Sequence, residues 1–299
     1  MKIVFFGNEQ LAQGLEKPIT PILDALVVNY EIIAIVLPRR LEALSGHNRK
    51  PLVIGRAEQS SIPLIYADQE VNLDATLREL NAEIGVLASY GQIVKQSTID
   101  IFPHGIVNIH PSLLPKYRGS TPIETAILNG DSETGVSLMN LVKEMDAGGI
   151  YVQEKILLDG TESKQELYEK LAKLGAKLLT ENLPQIISGE LSPTPQDERN
   201  ATYSSKIAKL DGDLDSATMT ATECERRIRA FAEWPKSRLI FRGQKTIITK
   251  AKALVHNPGD NWPDIIICAN DTALQIIELI NPKSGKVMLV KDYLNGLRN

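Results

Sequence analysis

Along the first part of the chain, short apolar runs alternate with longer segments of mixed polarity. Lys2–Phe6 (KIVFF) stops at Gly7, Glu31–Leu37 (EIIAIVL) at Pro38, and Ile84–Ala88 (IGVLA) at Ser89-Tyr90-Gly91. Ile106–Ile109 (IVNI) runs into His110-Pro111. None of these runs alternates strictly between apolar and polar, which is the pattern of strands covered on both faces. Between them lie amphipathic stretches such as Pro21–Asn29 and Leu73–Asn81, the latter apolar at Leu73, Leu77 and Leu80. Strand, helix, strand in this rhythm predicts an α/β domain with a mainly parallel sheet.

A long helix is predicted over Ser163–Ile187, where Leu167, Leu171, Leu174 and Leu178 fall at steps of four, three and four on one face. Residues 188–205 are polar and carry Pro193 and Pro195, the signature of a linker. Beyond a short helix at Thr222–Phe231 the chain turns strand-rich, over Arg238–Arg242, Lys245–Ala251, Asp264–Cys268, Ala273–Leu279 and Lys286–Val290. Turn residues at Gly243-Gln244 and Asn281–Gly285 separate several of these strands, so a small β-barrel is expected. The pattern divides the chain into residues 1–187, a linker 188–205, and residues 206–299.

Composition adds limits rather than detail. With 43% apolar and 23% charged residues the chain has a globular balance, and no run approaches the ~20 apolar residues of a membrane helix. The lone apolar stretch near the start, Ile3–Phe6, is too short for a secretory signal, so a cytoplasmic protein is expected. Cys224 and Cys268 lack metal-site or disulfide spacing and read as small buried apolar residues. The net charge of −4 conceals an asymmetry: residues 201–299 carry 15 Lys+Arg against 11 Asp+Glu, while the first 200 carry 18 against 26. A basic C-terminal third suits a polyanionic partner, and equally a solvated surface.

The chemistry concentrates in residues 106–122, IVNIHPSLLPKYRGSTP. Asn108 and His110 are two apart on a predicted strand and therefore share a face. They stand at the strand's carboxyl end, where open α/β sheets hold ligands. An amide and an imidazole aimed together suit a developing oxyanion on a carbonyl. The imidazole needs an orienting carboxylate, and Asp146, in a glycine-bearing loop before another apolar run, is the nearest good choice. By spacing alone, an Asn-x-His pair is more often incidental and an aspartate before glycines more often a turn residue.

The stretch Asn108-Ile-His110-Pro-Ser-Leu-Leu-Pro-Lys-Tyr-Arg-Gly resembles the signature of folate-dependent formyltransferases, as do Gly130-Asp-Ser-Glu-Thr-Gly-Val-Ser-Leu-Met and Met145-Asp-Ala-Gly. Further blocks extend the likeness over nearly the whole chain: Tyr203-Ser-Ser-Lys-Ile-Ala-Lys, Leu214-Asp215, Ile228-Arg-Ala-Phe, Trp234-Pro235, Leu274-Gln-Ile-Ile-Glu-Leu, Gly285-Lys-Val-Met and Asp292-Tyr-Leu-Asn-Gly. These resemble the branch of the family that acts on methionyl-tRNA. The resemblance implies a Rossmann-like formyltransferase domain followed by a small OB-like barrel that binds tRNA. The implied donor is 10-formyltetrahydrofolate, and the implied acceptor is the α-amine of initiator methionyl-tRNA. It implies no metal, and a monomer is expected. Asn108, His110 and Asp146 carry over as the catalytic trio. The folate is expected against Ser89, Tyr90, Gly91, Gln92 and Ile93, with Ser112, Leu113, Leu114 and Pro115 as a second contact. Arg118 either meets an anionic group or lies solvated on the surface.

A basic loop after the second strand, with Arg39, Arg40, Arg49 and Lys50 and with Arg56 beyond, is the expected phosphate contact, joined by Lys206 and Lys209. Three features depart from the family pattern: the segment Asn8–Pro18, Gly149 where an aspartate is usual, and a shortened stretch at Val255–Pro263. The main alternative is a formyltransferase for an amino-sugar nucleotide. An NAD-dependent dehydrogenase is disfavoured because Gly7 and Gly14 do not make GxGxxG. A catalytically inactive RNA-binding module is the remaining alternative.

Overall fold

Strands without a polar face must be covered on both sides, and the first four apolar runs become neighbours in one sheet. The computed structural model of the chain describes residues 1–10, 15–39, 51–255 and 262–297. In chain order come β1 (Lys2–Phe6), α1 (Pro21–Asn29), β2 (Glu31–Leu37), α2 (Leu52–Gln59), β3 (Leu64–Tyr66), α3 (Leu73–Glu79) and β4 (Ile84–Leu87). There follow the single-turn α4 (Gln96–Ile99), β5 (Ile106–His110), the two-residue β6 (Arg118–Gly119), α5 (Pro122–Asn129), β7 (Glu133–Asn140), β8 (Ile150–Leu157) and α6 (Lys164–Ser188).

Among the described residues the sheet runs β3-β2-β1-β4-β5-β7-β8. Pairing is parallel from β3 to β5, then antiparallel from β5 to β7 and from β7 to β8. One face of the sheet offers Ile3, Phe5, Val86 and Val107 to Ile22, Leu23 and Leu26 of α1 and to Leu167, Leu171 and Leu178 of α6. The opposite face packs Val4, Phe6 and Leu87 with Tyr90, Phe102 and Leu77. Both faces are therefore dry, which is why the strand sequences do not alternate. The long helix is one residue displaced from its expected bounds. Its start is set by a capping box, in which the Ser163 hydroxyl accepts from the Glu166 amide while Glu166 accepts from the Ser163 amide.

Residues 188–205 do not hang free as a polar linker would. Thr194 exchanges two backbone hydrogen bonds with Ile150 (2.8 and 2.9 Å), and β9 (Tyr203–Ser204) pairs in parallel with β6. The segment is a strap laid across the N-terminal body. Beyond it come α7 (Ala221–Ala230), β10 (Ser237–Phe241), β11 (Gln244–Val255), β12 (Ile265–Cys268), β13 (Thr272–Ile280), β14 (Val287–Leu289) and α8 (Val290–Gly296). These strands make a curled antiparallel half-barrel in the order β10-β11-β13-β12, with β14 also on β13. Its core holds Ile228, Leu239, Phe241, Leu274 and Ile276, together with both cysteines, which are free and buried as expected. Most of the shortened stretch after Val255 lies outside the described residues.

The two bodies meet over a buried charge. Lys164, fully buried at the start of α6, has Nζ 3.1 Å from Glu233 of the C-terminal body and 4.0 Å from Glu124 of α5. Arg226 and Arg229 of α7 add bonds to the carbonyls of Asn129 and Glu162. Removing one partner of a buried ionic cluster leaves uncompensated charge and costs ~3–5 kcal/mol. Lys164→Ala is therefore expected to lower unfolding free energy by about that amount in urea titration; an unchanged midpoint would refute the role.

A second buried carboxyl caps α1. The side chain at the N-cap, Thr20, makes no capping bond; Glu9, fully buried, accepts from the amides of Ile22 and Leu23 instead. Burial pushes its carboxyl up from 4.5 to about 8, against the pull of those two amides. The folded protein then holds a proton that the unfolded chain releases near pH 4.5, so this contribution is full below that value. It is lost as pH rises towards about 8, at up to ~1.4 kcal/mol per pH unit. Glu9→Gln removes the titration, so the thermal midpoint of the variant should gain on wild type between pH 5 and pH 9. Parallel pH dependences of the two proteins would sink this reading.

Candidate active site

Strand order reverses between β1 and β4, since β1 leads to β2 on one side while β4 lies on the other. Such switch points open a crevice at the strand carboxyl ends. Here a cleft of about 480 Å³ lies at that place, lined by Asn8 and Gln10 after β1, Ser89–Val94 after β4, Asn108–His110 of β5 with Pro111, Gly119 and Ser120, and Leu141–Lys143, Met145 and Asp146 after β7. Gly7 lets the two strand ends close up: its φ is +113°, and a β-carbon there would stand 2.1 Å from the Ala88 carbonyl oxygen.

Asn108, His110 and Asp146, named from the sequence, converge in this cleft. Asn108 Nδ2 donates to Asp146 Oδ1 at 3.3 Å, leaving its second amide hydrogen uncommitted to Asp146. His110 Nε2 lies 2.9 Å from the Tyr117 carbonyl oxygen, which can only accept. That fixes Nε2 as the protonated nitrogen and turns Nδ1 towards Asp146 Oδ2, 3.7 Å away. Asp146 Oδ2 also accepts from the Gly119 amide at 2.8 Å. Asn108 and His110 are buried, whereas the Asp146 side chain keeps 15% of its surface exposed. The cluster therefore offers one amide N–H, one imidazole nitrogen and one carboxylate to a shared space.

Two of these partners lie in left-handed backbone, Tyr117 at φ +59° and Asp146 at +50°. Aspartate tolerates that region, but for tyrosine it costs energy that neighbouring contacts must offset. The Tyr117 phenol supplies them, donating to Asp131 at 2.7 Å and accepting from Asn129 at 2.8 Å. Its carbonyl is thus aimed at His110 from a fixed ring.

The remaining expected site residues divide. Ser89, Tyr90, Gly91, Gln92 and Ile93 line the cleft. Tyr90 does so from a buried ring, packed edge-on against Phe6 at 5.7 Å, and burial pushes its phenol up to about 12. Ser112, Leu113, Leu114 and Pro115 lie outside the lining. They form a support: Ser137 Oγ donates to the Ser112 carbonyl and accepts from the Leu114 amide, and Gln153 bonds the Leu114 carbonyl. Arg118 is 1% exposed and does meet an anion, the internal one of Glu198 at 2.7 Å. Arg39, Lys206 and Lys209 are exposed, while Arg40, Arg49 and Lys50 lie outside the described residues. Arg56 is tied to Asp24 of α1 in an ion pair. Among the described residues no cluster of three or more His, Cys, Asp or Glu is placed to hold a metal.

Three contributors went unseen in the sequence: the Tyr117 carbonyl, the Gly119 amide and Gln196. The first two act through backbone atoms, which residue type does not announce. Gln196 sits fifty positions from Asp146, in a stretch that composition assigns to a linker. Gly149, where the family usually has an aspartate, lets the strap lie close. A β-carbon there would meet Pro193 at 3.0 Å and the Thr194 carbonyl at 3.1 Å.

Comparison with known proteins gives a consistent pattern. Residues 40–183 match the model of the family described as formyl transferase, and residues 206–298 that of the formyl transferase C-terminal domain. A methionyl-tRNA formyltransferase of Chloroflexus aurantiacus is 34% identical over 99% of this chain and 97% of its own. That of Thermus thermophilus is 32% identical over 99% and 96%, and that of Pediococcus pentosaceus 30% over 99% and 94%. Among solved structures, an N-formyltransferase from Helicobacter canadensis, in complex with folinic acid and dTDP-3-aminofucose, shares the fold. It has a TM-score of 0.69, 21% identity, and coverage of 92% of this chain and 97% of that one.

Proposed function

Because this chain belongs to the formyltransferase family, we propose that it moves the formyl group of 10-formyltetrahydrofolate to the α-amine of initiator methionyl-tRNA, in the cytoplasm, at the start of translation. Supporting this reading is the convergence of Asn108, His110 and Asp146 on one cleft, in a chain that aligns with methionyl-tRNA formyltransferases along its whole length.

The neutral amine attacks the formyl carbon, whose oxygen takes up negative charge. The free N–H of Asn108 and a proton on His110 Nδ1 donate to that oxyanion. Asp146 faces the same nitrogen and gives the imidazolium its counter-charge. At 3.7 Å the pair is longer than a hydrogen bond, as catalytic contacts often are before substrate closes the site. Asp146 also accepts the proton leaving the amine. That proton ends on N10 of the folate as the carbon–N10 bond breaks, so one C–N bond and one N–H bond form as one of each is lost. The folate lies along Ser89–Ile93, where backbone groups and the exposed Gln92 and Ile93 recognise its ring edge.

The acceptor is tRNA in this reading, with Arg39, Arg40, Arg49, Lys50, Lys206 and Lys209 meeting phosphates. Match to the C-terminal domain model and full-length alignment with the methionyl-tRNA enzymes favour it over an amino-sugar nucleotide.

Purified protein should formylate charged initiator tRNA and leave an amino-sugar nucleotide untouched; the reverse preference would overturn the acceptor. Losing one oxyanion donor costs ~2.7–4 kcal/mol of barrier, so Asn108→Ala should cut turnover roughly a hundredfold or more while folding normally. Near-native turnover would remove Asn108 from the role. Reversing charge at Arg39 and Arg40 should raise KM for charged tRNA and spare folate binding, and unaltered tRNA kinetics would refute that contact.

A further inference from the structure

Asp146 occupies left-handed backbone, φ +50°, and beside the bonds its carboxylate takes from Asn108 and the Gly119 amide, its loop is held through backbone carbonyls. Two of the loop's carbonyls, those of Asp146 and Gly148, accept from a single nitrogen, Nε2 of Gln196, at 2.7 Å each. Gln196 belongs to the strap that leads into the C-terminal body. Its Oε1 accepts from Arg118 Nε at 3.1 Å and Nη2 at 2.8 Å. Arg118, almost fully buried, is itself forked onto Glu198 through Nη1 and Nη2 at 2.9 and 2.7 Å. A guanidinium can only donate, so the amide oxygen must face it and both amide hydrogens must face the loop. The amide cannot flip without losing four bonds.

We propose that Gln196 is the positioning residue for the carboxylate of Asp146, with Arg118 setting the direction of its amide. This rests on Asp146 being catalytic as argued above. The strap is thereby a working part of the site: the segment that carries the C-terminal body also fixes where the carboxylate stands relative to His110 and Asn108. The loop's other end is pinned by the same strap through the Thr194–Ile150 pair.

The test compares Gln196→Met, which keeps length and loses both hydrogen-bond functions, with Gln196→Glu in the full-length chain. The glutamate retains a partner for Arg118 but turns a carboxylate onto two carbonyls, so it perturbs the loop while holding the strap. Both should lower kcat for formyl transfer by ~10- to 100-fold, as misplacement of a reacting group does, with KM for the folate changed less than about threefold. Amide hydrogen exchange in residues 143–149 should quicken, with native protection in β1 and β4. In an Asp146→Asn background Gln196→Met should cost little further, because it acts through the same carboxylate. Wild-type kcat in a folded Gln196→Met overturns the proposal, as does a loss that adds in full to that of Asp146→Asn. If Gln196→Met fails to fold, Gln196→Glu decides on the same readouts. Near-native turnover of Asp146→Asn alone defeats the reading of Asp146 itself, which separates the two failures.

Discussion

The carboxylate of Asp146 is the point on which the site depends. One oxygen takes a hydrogen bond from Asn108 and the other takes one from the Gly119 amide while facing His110. Asn108 and His110 come from β5 and Gly119 from β6, so the carboxylate is the common node that ties the two stretches together. A side chain with two acceptor oxygens and little freedom suits this better than any neutral group, since it binds donors on both sides. Its position is in turn a question of backbone, because a left-handed residue just ahead of two glycines has no regular secondary structure to hold it.

The architecture explains how such a node arises. Parallel strands β1, β4 and β5 deliver their carboxyl ends to one edge and leave a crevice where their order reverses. A wholly parallel sheet would send the next strand back through a crossover helix. Here β7 and β8 run antiparallel instead, and the turn between them brings Asp146 beside Asn108. Two kinds of pairing in one sheet thus place a strand-end pair and a hairpin loop against each other. Pinning is left to side chains at a distance: Tyr117 through Asp131 and Asn129, Ser112–Pro115 through Ser137 and Gln153.

Much of this was legible in the residues. Apolar runs located β1, β2, β4 and β5 within a residue because burial on both faces leaves a strong local signal, whereas no such run gave bounds for β3, β7 or β8. The leucine spacing of α6 did the same for a helix. The Asn108–His110 pair was readable because period two is a property of the strand itself. Asp146 needed the family resemblance, since nothing local distinguishes it from an ordinary turn aspartate. The strap's bonding to the N-terminal body is invisible in the sequence for a definite reason. Its contacts are hydrogen bonds from polar side chains and backbone to sites 40 to 90 residues away, and polarity alone cannot tell such a segment from a solvated one. Arg118 illustrates the same limit: its residue type suggests surface, yet its counter-charge comes from Glu198 eighty positions later.

The strap also bears on how such a protein can be taken apart and recombined. Chain order places it after every residue of the trio, so a growing polypeptide carries Asn108, His110 and Asp146 well before it carries Gln196 and Ser204. The bonds to the loop that carries Asp146 come last, from the segment that a modular view would choose as a cutting point. Exchanging C-terminal bodies between relatives at residue 188 would bring in a foreign strap along with the foreign body, and a clamp matched to another loop. The better seam lies past Ser205, where the chain has finished bonding to the N-terminal body's Thr121 and the contacts still to be matched include Lys164 with Glu233 and the bonds of Arg226 and Arg229.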